Sequence, residues 1–114
     1  MVDSQIPRLN GMFIERLLTM KAITIQLIPT EQGGRLSATR DGQELGHLDF
    51  NALAEDLIDA HHTFVTPEAR SDGVAAALLD ALAEHVQTHH LRLRASCSYV
   101  AKMIPRRYPQ INLV

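Results

Sequence analysis

Cys97 and the tyrosines Tyr99 and Tyr108 are the side chains best suited to covalent or proton-transfer chemistry, and all three fall near the end of the 114-residue chain. A thiol attacks as its thiolate, and a phenol can give a proton to a departing group. The six histidines invite a metal reading, with His85 and His89 at i, i+4 and His90 beside them. No cysteine or carboxylate is placed by spacing to complete four zinc ligands, and imidazolium at a helix C-terminus is favourable without a metal. Strict strand alternation sets His61 and His62 on opposite faces, so at most one of them serves a common site. A further stretch concerns charge rather than acid-base chemistry. Val65-Thr-Pro-Glu-Ala-Arg-Ser-Asp-Gly73 ends a β-branched segment at Pro67 and sets Gly73 where an alanine- and leucine-rich run begins. The first amides of a helix have no internal partners and carry the positive end of its dipole, so this turn can cradle a phosphate. It can equally be a flexible lead into a helix and nothing more.

These groups must be positioned by elements that the pattern outlines. Lys21 to Ile28 alternates as a strand, and Arg35–Arg40 and Gln43–Phe50 form two more about Asp41-Gly42. Leu57–Val65 is a fourth strand, stopped by Pro67. Val74, Ala75, Leu78, Leu82 and Val86 recur at helical spacing within a helix from Asp72 to about His89, with Asp80, Glu84 and Gln87 facing elsewhere. Leu91–Ser96 alternates again, and Ser98 can cap a short helix through Met103 that ends before Pro105. Strand, helix and strand in succession require a parallel pair with a right-handed crossover. The fold class is therefore mixed α/β, with a mostly antiparallel sheet and a strand–helix–strand core.

Composition narrows the classes of function. A hydrophobic fraction of 46% suits one compact domain, and a formal charge of −2 gives no general attraction for nucleic acid or anionic membrane. Any phosphate must be held locally. One cysteine can form neither an internal disulfide nor a CxxC metal site, and no run of about 20 apolar residues suggests a membrane span, so a reducing cytoplasm is the expected compartment. Because a clean strand begins directly after Met20, residues 1–19 read as a peripheral arm and 20–114 as the domain.

The segment from Val65 to Ala75 resembles the acyl-CoA-binding region of the GNAT superfamily of N-acyltransferases. There a strand ending Val-x-Pro leads into Arg/Gln-x-x-Gly-x-Gly/Ala, matched here by Val65, Pro67, Arg70, Gly73 and Ala75. His62-Thr-Phe-Val65 and Cys97-Ser-Tyr-Val100 are similar to segments of a minimal single-domain branch that lacks the usual acceptor-shaping N-terminal helices. The resemblance spans roughly Ile25 to the C-terminus. It implies that Arg70, Ser71, Asp72, Gly73, Val74 and Ala75 hold the pyrophosphate of acetyl-CoA, the cofactor, and that Phe64 and Val65 line its pantetheine arm. Ser71 and Asp72 depart from the Gly-Lys or Gly-Gln common in this turn. Asp72 either brings a carboxylate towards the anion or caps the helix.

From the residues alone Cys97 is a structural, half-buried thiol; the resemblance instead sets it beside the coenzyme A thiol. Cys97 and Tyr99 are then the catalytic candidates, the first as acyl acceptor or pocket wall, the second as proton donor to the leaving thiolate. For both tyrosines, packing is the competing explanation. No histidine is placed by spacing to activate Cys97, which favours direct attack of an amine on the thioester. Arg106 and Arg107 are either a reach towards a nucleotide phosphate or a solvated pair. The implied activity is transfer of an acetyl group from acetyl-CoA to a small amine or protein amine. The competing reading is a non-catalytic acyl-CoA-binding or protein-interaction module. Acceptor identity and oligomeric state are not legible.

Overall fold

A computed structural model describes residues 23–114. The arm assigned to residues 1–19 lies outside the described residues. The elements run β1 (Thr24–Pro29), β2 (Gly33–Arg40), β3 (Gln43–Ala54), β4 (Leu57–Val65), a 3₁₀ turn (Pro67–Ala69), α1 (Val74–Thr88), β5 (Arg92–Ala95) and α2 (Ser98–Arg107). They make a single five-stranded sheet in the order β1-β2-β3-β4-β5. Neighbours are antiparallel up to β4, and β4 and β5 are parallel across the α1 crossover. The mixed α/β class read from the pattern is the fold observed.

Local chemistry explains the boundaries. Asp41 and Gly42 both take positive φ (54° and 79°), the twist that a two-residue hairpin needs to match its strands. Pro67 has no amide for a ladder, and the chain turns there into its 3₁₀ segment. Helix α1 starts at Val74 rather than Asp72, because Gly73 sits at φ 79° in the left-handed region and cannot be helical. Helix α2 does not stop before Pro105 but continues through it to Arg107. Val100 and Ile104 are fully buried, and their packing holds the helix although Pro105 cannot donate to the preceding turn. Its N-cap is Cys97 rather than Ser98, and no side chain caps it.

The helices cover one face of the sheet. Leu36, Ala38, Leu48, Phe50, Ile58, Ala60 and Leu93 meet Val74, Leu78, Leu79, Leu82 and Val86 of α1 and Val100 and Ile104 of α2 in one core. The C-terminal tail closes beside β5 through Val114 N–H to Leu93 O (2.9 Å). Among the described residues no helix is long and apolar enough to cross a membrane.

The other face carries polar side chains, and two register breaks decide which ones. Ala38 opposes Gly46 but Thr39 opposes Glu44, so Leu45 is an extra residue on β3. Asp49 opposes His62 but Phe50 opposes Ala60, so His61 is an extra residue on β4. Such bulges upset alternation. Glu44 consequently shares a face with His47, and His61 shares one with His62. The expectation that the paired histidines point to opposite faces is thereby corrected: His62 lies against His47 (ring centroids 5.7 Å), and His61 lines a cavity with Arg35 and Asp49 on the same side.

The short β5 is tied at both ends. Arg92 N–H donates to Asp56 O (2.6 Å), and its guanidinium grips the Asp56 carboxylate at 3.0 and 3.1 Å. At the other end the Asp59 carboxylate accepts from Ser96 N–H (3.0 Å) and Ser96 Oγ–H (2.7 Å). Asp59→Ala removes charge-assisted bonds at the place where β5 leaves the sheet and should cost about 2 kcal/mol of unfolding free energy. Urea unfolding of the variant beside wild type measures it, and an unchanged midpoint would show that the tie contributes nothing.

Candidate functional site

The parallel ladder is brief. Pairing runs from Leu57↔Arg92 to Ala60↔Ala95, and one further bond, Cys97 N–H to Ala60 O (2.9 Å), closes it. On its other side β4 stays paired with β3 as far as Gly46↔Val65. Beyond Ala60, β4 is therefore held on one edge and open on the other. Thr66 N–H donates to Leu45 O (2.8 Å), so alternation turns the main-chain groups of Phe64 towards β3 and those of Thr63 and Val65 towards the edge that β5 has left. The guanidinium of Arg70 reaches Val65 O from that side at 3.4 Å.

Cys97 stands where the two strands part. Its thiol is half-buried, and Sγ lies 3.5 Å from Thr63 Oγ1. Tyr99 follows within the first turn of α2, packed against the core. Burial raises its phenol above the usual range; Arg107 opposes the shift, while Asp80 and Cys97 add to it. Tyr99 is thus protonated at neutral pH. Tyr108 is differently occupied: its hydroxyl donates to Asp80, which also holds Arg107 at 2.9 Å, so both residues fasten the end of α2 to α1. Arg106 is exposed in the same last turn.

The turn leading into α1 has the makings of an anion site. The first intrahelical bond is Ala77 N–H to Gly73 O (3.0 Å), and no side chain caps the helix. The amides of Val74, Ala75 and Ala76 meet no acceptor among the described residues, which is the condition under which a helix start attracts an anion. Gly73 has open space around its missing side chain, so its glycine identity answers to the positive φ. Val74 is completely buried, Ala75 is half-buried, and Arg70 and Ser71 are exposed. Asp72 is not the cap. Its carboxylate pairs with Arg40 of β2 at 3.2 Å, which balances its charge beside the turn.

The structure thus gathers Val65, Arg70 and the start of α1 at one end of the open β4 edge, with Cys97 and Tyr99 at its other end. Phe64 points to the uncovered face, 41% exposed, with its ring beside that of His47 (5.6 Å). Thr63, inside a segment singled out by resemblance but given no role, places its hydroxyl within hydrogen-bond range of the Cys97 thiol. Glu44, His47 and Asp49 escaped sequence reasoning because only the bulges and cross-strand pairing bring them together. The rings of His85 and His89 meet at 4.8 Å, tilted by 55°, and burial with the charge of His89 lowers the His85 imidazole. Among the described residues no three histidine, cysteine or carboxylate side chains converge as a metal would require.

A family model for GCN5-related N-acetyl-transferases matches residues 35–114. The chain belongs to this GNAT family. No curated protein matches the sequence. Among solved structures, ribosomal-protein-alanine N-acetyltransferase from Brucella melitensis aligns with a TM-score of 0.61 at 20% identity, covering 82% of this chain and 92% of its own. A GCN5-like protein from Staphylococcus aureus aligns at 0.59 and 23% identity, covering 78% and 87%. An IAA acetyltransferase from Bacillus cereus aligns at 0.59 and 13% identity, covering 75% of each chain. At these identities the neighbours establish a shared GNAT fold.

On the sheet face that no helix covers among the described residues, polar groups are settled by one another. Arg35 grips Asp49 in a bidentate pair at 2.7 and 3.1 Å on that face. Burial alone would raise the Asp49 carboxyl, but the hydrogen bond and charge of Arg35, with His47 and His61 contributing, bring it below the ordinary range. A carboxyl lowered by folding adds stability above its unfolded pKa and loses that contribution as pH falls through the folded value. Arg35→Met should therefore destabilise the protein at neutral pH, with the gap from wild type closing below the usual carboxylate range. Urea unfolding across a pH series checks this, and a gap that persists in acid would assign the loss to packing.

Proposed function

We propose that this GNAT chain is an acetyl-CoA-dependent N-acetyltransferase in which an amine attacks the thioester directly. The observation that carries the reading is the single open stretch of β4, running from the unsatisfied amides at the start of α1 to Cys97 and Tyr99. Amides at Val74–Ala76, with Arg70 beside them, suit a pyrophosphate. The edge groups of Thr63 and Val65 suit the amides of a pantetheine arm, with Phe64 at its margin. Asp72, held by Arg40, leaves the cradle available to an anion.

On this reading the chain's own groups divide the work. The β4 edge fixes the thioester and offers an N–H to the charge that develops on its carbonyl oxygen. Tyr99, kept protonated by its buried setting, supplies a proton to the departing thiolate. Cys97 shapes the end of the channel: its Sγ lies 3.5 Å from the hydroxyl of Thr63, which is no base, and among the described residues no histidine or carboxylate hydrogen-bonds to it. The acceptor is an amine, either a small molecule or a protein amine.

Isothermal titration with acetyl-CoA, followed by turnover with polyamines, amino acids and peptide N-termini, tests the proposal. Binding without turnover of any amine would favour a non-catalytic acyl-CoA-binding module, and no binding would exclude both. Gly73→Val should weaken coenzyme A binding at least tenfold, since a β-branched residue strongly resists a left-handed φ and displaces the cradle amides. A folded variant with unchanged affinity would take the phosphate role from this turn. Cys97→Ser should leave turnover within about threefold of wild type if the thiol is only a wall, whereas loss of a nucleophile would nearly abolish it. Mass spectrometry of the protein with acetyl-CoA and no amine is the companion measurement, and an acetyl group on Cys97 that passes to added amine would replace direct attack with a covalent route.

A further inference from the structure

Among the described residues α1 and α2 cover one side of the sheet and no helix covers the other, which leaves that side as an approach for an acceptor. A cavity of about 640 Å³ opens there, lined by Ile28, Arg35, Asp49, Asn51 and His61 among others. Next to it, on the same face, a histidine is held in a defined state. His47 Nδ1 lies 3.1 Å from Glu44 Oε2, and Ser37 Oγ–H donates to the same oxygen at 3.2 Å. An ionised carboxylate only accepts, so Nδ1 is the protonated nitrogen, and neutral His47 carries its lone pair on Nε2. That atom is 4.0 Å from Asp49 Oδ2, beyond hydrogen-bond reach, and Asp49 is already engaged by Arg35. The ring rests against His62 and Phe64, the side chains that border the open β4 edge on this face.

We infer that His47 is the base that deprotonates the acceptor, with Glu44 as its positioning residue. The inference rests on the acetyltransfer reading and deepens it. An amine reaching this face at neutral pH is an ammonium ion and has no lone pair. Its proton passes to His47 Nε2, the freed nitrogen forms a bond to the acetyl carbonyl carbon, and the carbon–sulfur bond breaks. The thiolate takes a proton from Tyr99, which regains it from the nitrogen, and His47 returns its own proton to water. The products are an acetamide, a thiol and one released proton. His61 and His62 share the face, but neither has a carboxylate within hydrogen-bond distance among the described residues to set its tautomer, whereas His47 does. The charged and titratable groups around His47 are Arg35 of β2, Glu44 and Asp49 of β3, and His61 and His62 of β4.

The test compares n-butylamine, an ammonium ion at neutral pH, with methoxyamine, which is neutral there. His47→Gln should lower kcat/KM for n-butylamine by about 100-fold and remove the ascending limb of its pH profile, while methoxyamine stays within about threefold. Acetyl-CoA affinity should not change. Glu44→Gln should reduce the n-butylamine rate less and move that limb rather than abolish it. Equal losses with both amines, or none with either, would overturn the inference while leaving acetyl transfer standing. A wild type inert to these two and to every polyamine, amino acid and peptide amine offered would overturn the acetyltransfer reading and this inference with it. Long-range ¹⁵N–¹H spectra of the histidines in the full chain give a readout independent of turnover: the Nδ1–H tautomer at His47 is expected, and an Nε2–H tautomer would overturn the assignment.

Discussion

The feature on which the rest depends is a mismatch between two hydrogen-bond ladders that share one strand. β4 pairs with β3 along nearly its whole length but with β5 only from Leu57 to Ala60. The short ladder ends because β5 is itself short: Asp59 seizes Ser96, Cys97 makes a last bond to Ala60, and the chain turns into α2. What remains is a stretch of strand with one satisfied edge and one free edge, inside a folded domain. Free edges usually invite unwanted pairing. This one is short, is flanked by helix starts, and has Arg70 already reaching its Val65 carbonyl, which suits it to a ligand that carries its own amide groups.

Charge follows the same economy of placement. A chain of formal charge −2 has no net positive charge with which to gather phosphates, so any attraction must be local, from oriented backbone dipoles and single side chains such as Arg70. The start of α1 provides them because Gly73 takes a conformation that leaves the helix uncapped. Asp72 would oppose an anion there, yet its carboxylate is turned to Arg40 on β2, thirty-two positions away in sequence. The sheet thereby neutralises a charge that the turn itself cannot.

The two faces of the sheet answer to different physics. On the helix-covered side, burial of leucine, valine and alanine drives packing, and the half-buried Cys97 and Tyr99 lie at its margin. On the uncovered side, polar residues are ordered by one another: Arg35 with Asp49, and Ser37 and His47 with Glu44. Such networks fix tautomers and orientations as well as contributing stability. At the open β4 edge the two environments meet, apolar from behind and polar in front.

Much of this was legible in the residues. The bounds of β4, the Asp41-Gly42 hairpin, the crossover and the core stripe of α1 follow from alternation, helical spacing and the punctuation of Pro67 and Gly73, all of which act through near neighbours. The turn from Arg70 to Ala75 and the position of Cys97 just ahead of a helix were readable for the same reason. Residues 98–107 show where local rules end, since Pro105 forecasts a stop that the burial of Val100 and Ile104 overrides. The uncovered face was beyond such reading altogether. A bulge at Leu45 brings Glu44 to His47, and one at His61 brings His61 round to the side of His62. Whether a strand takes up an extra residue is decided by its partner strand and by packing across the sheet, so alternation read along one strand assigns the wrong face beyond each bulge.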